Sequence, residues 1–258
     1  MLKYLMKYDL RKMLKLLVWF YAISLALAAL TRILYIWNDI QVIRIIGMVS
    51  AGFTYSAIAN IVINTFIHIL MRFTTSFYKD QSYLTHTLPV KKGELILSKY
   101  LSSLIVILLS VIVSFLSLFI MFYSPEFMQN LKFALDSVVA GFNMPSGLFV
   151  CLIVLIIFAQ ICAIISFAFT AIVKGYSYNH KRGIRGFLCF YLLCSITTLI
   201  LSVILTAITG NIDSLLANQM SSETFLTVAL VALISYSCFA LLFYFICRKE
   251  FKKGVNID

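Results

Sequence analysis

Ser56, Asn60, Asn64, His68 and Arg72 recur at every fourth position of one strongly apolar stretch, and each carries a group that hydrogen-bonds. At helical spacing they form a single, slowly turning polar stripe. Such a stripe is costly against lipid, so it should face protein or a wet cavity. Three uses fit these residue types. The stripe could join helices by hydrogen bonds worth about 0.6 kcal/mol each, it could line a substrate path, or His68 beside Arg72 could do acid–base chemistry on a lipid. Milder hydroxyl stripes, Ser110–Ser114–Ser117 and Thr198–Ser202–Thr206, suit the joining of helices.

The longest polar interruption, YKDQSYLTHTLPVKKGELILSKY from Tyr78 to Tyr100, is the second candidate. Asp80 suits a helix N-cap, and the spacing predicts a short helix through Gln81, Ser82, Tyr83, Leu84 and Thr85. Pro89 should stop it near Leu88, because the residue before proline is pushed out of helical geometry. Proline also suits the start of a helix, so the next one is expected from Val90 onward. Tyr78, Tyr83 and Leu84 would then form an exposed apolar knob ringed by Lys79, Lys91 and Lys92. That knob fits a socket on a partner protein, although tyrosines of an interfacial loop at headgroup level would have the same composition.

Other chemistry is absent. The chain has no phosphate-binding GxxxxGK[ST], no HExxH and no GxSxG. His68, His86 and His180 are far apart, and no C-x-x-C pair occurs among Cys151, Cys162, Cys189, Cys194, Cys238 and Cys247, which read as small apolar packing residues. No Asp or Glu lies clearly at mid-membrane depth, where proton-coupled carriers keep them. The expectation is a chain with no catalytic residues, no metal and no bound cofactor, so that energy for any transport would come from a partner.

The elements that must position these residues follow from composition. Of 258 residues 62% are hydrophobic and 12% charged, far from the roughly 25% charge of soluble domains. This predicts an all-α integral membrane protein, one transmembrane domain over 1–258, with spans near 14–36, 45–73, 95–122, 146–173, 187–209 and 224–247. With the N-terminus cytoplasmic, 18 of the 21 Lys and Arg fall inside, leaving Arg32, Arg44 and Lys132 outside. The basic excess is therefore a topology signal rather than a nucleic-acid footprint, and it predicts both termini in the cytoplasm. The opening ends in the cleavage-like Ala26-Leu27-Ala28, but cleavage would spoil the charge match, so it reads as a retained first span. Before that span Leu2, Leu5, Met6, Leu10, Met13, Leu14 and Leu17 suit an amphipathic interfacial helix against anionic lipid. Phe127, Leu131, Leu135, Val138 and Phe142 predict a further helix on the outer surface. The basic loop Lys174 to Gly186 reads first as an orientation signal.

Six spans, a basic amphipathic N-terminus and the stretch from Phe77 to Leu101 resemble the permease subunits of ABC-2 type exporters. The positions that match are Phe77, Asp80, Tyr83, Leu88, Pro89, Lys91, Lys92, Glu94, Leu95 and Lys99. The resemblance implies that the short helix is a coupling helix. Tyr78, Asp80, Tyr83, Leu84, Leu88, Pro89, Lys91 and Lys92 would meet a separate cytoplasmic ATPase, which holds ATP and Mg, and a second permease chain, identical or related, would complete the path. It further implies a bacterial plasma membrane location and export of an amphipathic or apolar substrate, a peptide or antibiotic first. The Lys174–Gly186 loop would offer a second contact on the same face. A membrane-embedded scaffold or sensor docking a non-ATPase protein is the alternative.

Overall fold

The computed structural model describes residues 2–37, 40–79, 81–87, 90–141, 144–177, 182–209 and 222–252. Among them are eight helices and no strand: α1 (Leu2–Ile36), α2 (Gln41–Phe77), α3 (Ser82–Thr87), α4 (Lys92–Phe122), α5 (Pro125–Ala140), α6 (Ser146–Tyr176), α7 (Arg182–Thr209) and α8 (Ser222–Lys252). All but α3 and α5 are long and apolar enough to cross a membrane. The protein is an all-α, multi-pass membrane protein.

The N-terminal amphipathic segment is helical, and it continues without a break into the first span. No Gly or Pro interrupts Leu2 to Ile36, so nothing in the backbone favours a bend there. At 1.5 Å per residue α1 is roughly 50 Å long, against about 30 Å of hydrocarbon, so several turns project beyond it. The start of α4 falls two residues later than expected. Lys91 is extended (φ −61°, ψ 133°) and its carbonyl accepts the N–H groups of Glu94 and Leu95. Glu94 in the first turn complements the positive end of the helix. Ser124 caps α5 by accepting the Phe127 N–H at 3.0 Å, with Pro125 in the first helical position, where its missing N–H costs nothing.

The chain packs as two compact units. The first comprises residues 1–76 and 87–129. Here α1 lies along α4, burying Asp9, Met13, Leu17, Tyr21, Ser24, Ala28 and Thr31, which recur every three or four residues on one face. Ala28 and Ala51 meet Met121, the two small side chains allowing the backbones to approach closely.

The second unit comprises residues 77–86 and 130–258. Its central helix, α6, packs on α7 and α8. Phe167 meets Phe243 edge-on at 4.9 Å, beside Ala163 and Ala240, and the Thr170 hydroxyl donates to the Phe243 carbonyl at 2.8 Å. At the end of α6 a Cβ on Gly175 would come within 2.7 Å of the Gly186 backbone, so the entry to α7 requires glycine there. Thr197 is the one buried residue among the described side chains of α7; the apolar remainder suits lipid.

Candidate functional site

In the first unit, the side chains that interact most strongly come from three helices. Asp9 of α1 is 2% exposed. Its Oδ1 accepts from Arg72 of α2 at 3.2 Å and from Lys99 of α4 at 2.5 Å. The Lys99 ammonium also donates to Ser76 Oγ at 2.9 Å. The Tyr8 ring lies 5.6 Å from the Arg72 guanidinium and 4.7 Å from the Lys12 ammonium. One carboxylate thus holds two buried cations, an arrangement in which loss of the shared partner is far more costly than its presence is stabilising.

A spine of hydroxyls continues along the same three helices. Ser110 bonds Tyr21 at 2.6 Å and Thr65 at 2.7 Å, joining α1, α2 and α4 at one point. Ser24 meets Ser117 at 2.8 Å, and Thr31 meets Ser50 and Thr54 at 2.5 and 2.9 Å. Each such contact between helices is worth about 0.6 kcal/mol in a membrane. Of the expected serine stripe of α4, Ser110 and Ser117 join helices, whereas Ser114 is buried with its Oγ making no hydrogen bond among the described residues.

The four-residue stripe of α2 behaves differently along its length. Ser56 and Asn60 are exposed, and Asn60 and Asn64 donate to the Ser56 and Asn60 carbonyls at 3.0 and 2.9 Å, within α2 itself. They do not join helices. Arg72 alone of the five reaches the buried cluster; His68 next to it keeps a buried Nε2 without a hydrogen bond among the described residues. The cause is geometric: each four-residue step turns the helix by about 40°, so the stripe rotates from outward at Ser56 to inward at Arg72. In α7, Thr198, Ser202 and Thr206 likewise donate to carbonyls of their own helix.

In the second unit the elbow has a fixed root and an open tip. Phe77, fully buried, meets Phe251 of α8 at 4.7 Å with the rings at 65°. Tyr78 stacks on Tyr176 of α6 at 4.3 Å and is 7% exposed. This corrects its expected place on the exposed knob: paired with Tyr176 and next in sequence to the Phe77–Phe251 pair, it is an anchor. Burial, followed by the neighbouring Cys247 and Tyr176, pushes the Tyr78 phenol pKa up from 10.0. The chain then turns through a Ser82 N–H to Lys79 carbonyl bond of 2.7 Å into α3. Tyr83 projects outward, 75% exposed, and Lys79, Lys91 and Lys92 are exposed as well. Asp80, Leu88 and Pro89, and the side chain of Leu84, lie outside the described residues. An exposed aromatic side chain can bind a protein surface.

Asp9 is the member of the buried charge cluster that the sequence pattern does not single out. Its one signal is register, since Asp9, Met13, Leu17 and Tyr21 follow at four-residue intervals on the buried face of α1. Compared with known proteins, the chain matches no family model, no curated protein and no solved structure.

Proposed function

We propose that the chain is the membrane-spanning permease subunit of an ATP-binding-cassette exporter in a bacterial plasma membrane. Both termini face the cytoplasm, and the chain performs no catalysis itself. It works with separate cytoplasmic ATPase subunits, which bind ATP and Mg, and with a second permease chain. The observation that carries this reading is α3, a six-residue helix with an exposed tyrosine, rooted by Phe77 and Tyr78 against the ends of α8 and α6. A short, rigidly rooted helix is what a docking surface needs if a push on its tip is to reach the bundle rather than dissipate in a loop.

In this reading, closure of the ATPase pair on ATP displaces α3. The displacement passes through the two aromatic pairs to α6 and α8, and along the chain to α4. The bundle switches only if the ATPase binds its two states with different affinity. The substrate in this reading is amphipathic or apolar, a peptide or an antibiotic first.

Affinity purification of the tagged chain from its native membrane tests this. A nucleotide-binding subunit should come with the wild type and be lost with Tyr83→Asp at unchanged protein yield. Recovery of a cytoplasmic partner that binds no nucleotide would instead support a scaffold or sensor role.

A further inference from the structure

Midway along α2 the polar stripe meets the membrane with much of its hydrogen-bonding capacity unused. At 1.5 Å per residue Asn60 stands roughly 25–28 Å from either end of the helix, near the middle of a hydrocarbon layer about 30 Å thick. Asn60 is exposed and Asn64 half-buried, and each spends one amide N–H on a carbonyl of its own helix. Among the described residues, the second N–H and the Oδ1 of each amide bond to nothing. We propose that this face pairs with the same face of a second copy of the chain, α2 against α2, amide to amide. The second permease chain of the exporter reading is then an identical one, and the pairing rests on that reading only for the use to which the pair is put.

Symmetry favours a second copy as the occupant. Copies inserted the same way are related by a two-fold axis along the membrane normal, so side chains at the axis meet themselves. Only a group that both donates and accepts can pair with its own copy, and Ser56, Asn60 and Asn64 all do so. Arg72, which could not, is turned into the buried cluster. Shape agrees: Gly52, one turn before Ser56, is exposed, and a Cβ there would meet no other part of the chain within 4 Å. Gly52 and Ser56 therefore leave room for two backbones to approach closely and bring the Asn60 amides within reach. The border of the patch argues against a water-filled path. Ile45, Val49, Ser56, Asn60, Ile67 and Met71 follow at alternating intervals of four and seven, an eleven-residue repeat that holds one face. All six are exposed, and the four outer ones are apolar. A water-filled path would carry its polar lining on to one end of the helix, whereas a short polar patch inside an apolar border suits a packed pair. Lipid tails offer the amides no partner at all.

The test is energy transfer between two preparations of the full-length chain, one carrying a donor dye and one an acceptor, mixed in phospholipid vesicles at increasing dilution. Transfer above chance proximity should persist in wild type as lipid is added. Asn60→Leu, which keeps α2 apolar and removes the amide, should weaken pairing about tenfold, the loss of both bonds of one amide pair. Gly52→Ile should weaken it as well by holding the backbones apart. Its side chain points into open space, so it carries the test if Asn60→Leu does not fold. Transfer no higher than chance in wild type would overturn the proposal. So would equal pairing in wild type and both variants, which would put the contact on another face. No ATPase is present in the vesicles, so either failure leaves the docking of α3 untouched, and failure to recover an ATPase with the chain leaves the pairing untouched.

Discussion

Asp9→Asn keeps the size and shape of the side chain at the centre of the charge cluster and removes only its charge. Arg72 and Lys99, whose side chains are each 9% exposed, would then remain buried beside one another without the carboxylate that both now touch. Removing one member of a buried ion pair costs about 3–5 kcal/mol. Because this carboxylate serves two cations, the upper part of that range is expected. Even ~3 kcal/mol raises the unfolded fraction about 150-fold. Denaturant unfolding of the purified chain in mixed micelles measures the loss. Lys99→Met added to Asp9→Asn should recover part of it, since one uncompensated cation is cheaper than two, with a coupling of about 0.5–3 kcal/mol between the sites. If Asp9→Asn unfolds within about 0.5 kcal/mol of wild type, the usual range for surface substitutions, the cluster does not hold the three helices and the reasoning fails.

Phe77→Ala empties the aromatic root of the elbow and should cost about 3–5 kcal/mol, read as a lower melting temperature. Ser110→Ala removes both the Tyr21 and the Thr65 contacts and should cost about 1–2 kcal/mol in the same melt, at the modest value of membrane hydrogen bonds. Gly175→Ala forces a Cβ onto the Gly186 backbone and should cost about 1–3 kcal/mol or more by overpacking. For Tyr78 the folded-state pKa is raised, so its contribution to stability is complete below the ordinary phenol pKa of about 10 and is lost as pH rises through the folded-state value. Alkaline melts of Tyr78→Phe should lack that component of the pH dependence.

The spans were legible because about twenty consecutive apolar residues have few other uses. The short helix was legible from its turn signals, and α3 at Ser82–Thr87 lies where they put it. Tyr78 was misjudged because its burial depends on Tyr176, some hundred residues away, and the local sequence carries no trace of that contact. Asp9 was hidden by its neighbours, one acid among five basic residues looking like a solvated end. In α2 the four-residue stripe drew attention away from the buried hydroxyls, which besides Ser50 are Thr54, Thr65 and Ser76. These three are spaced by eleven residues, three turns of helix, and an eleven-residue interval holds one face where a four-residue interval drifts.

Docking of α3 on an ATPase is the central claim, and a photo-crosslinking amino acid in place of Tyr83 tests it in the living cell. Illumination should yield one covalent adduct, and its partner should be a cytoplasmic subunit that binds and hydrolyses ATP. An adduct only to lipid, or to a protein that binds no nucleotide, would contradict the account.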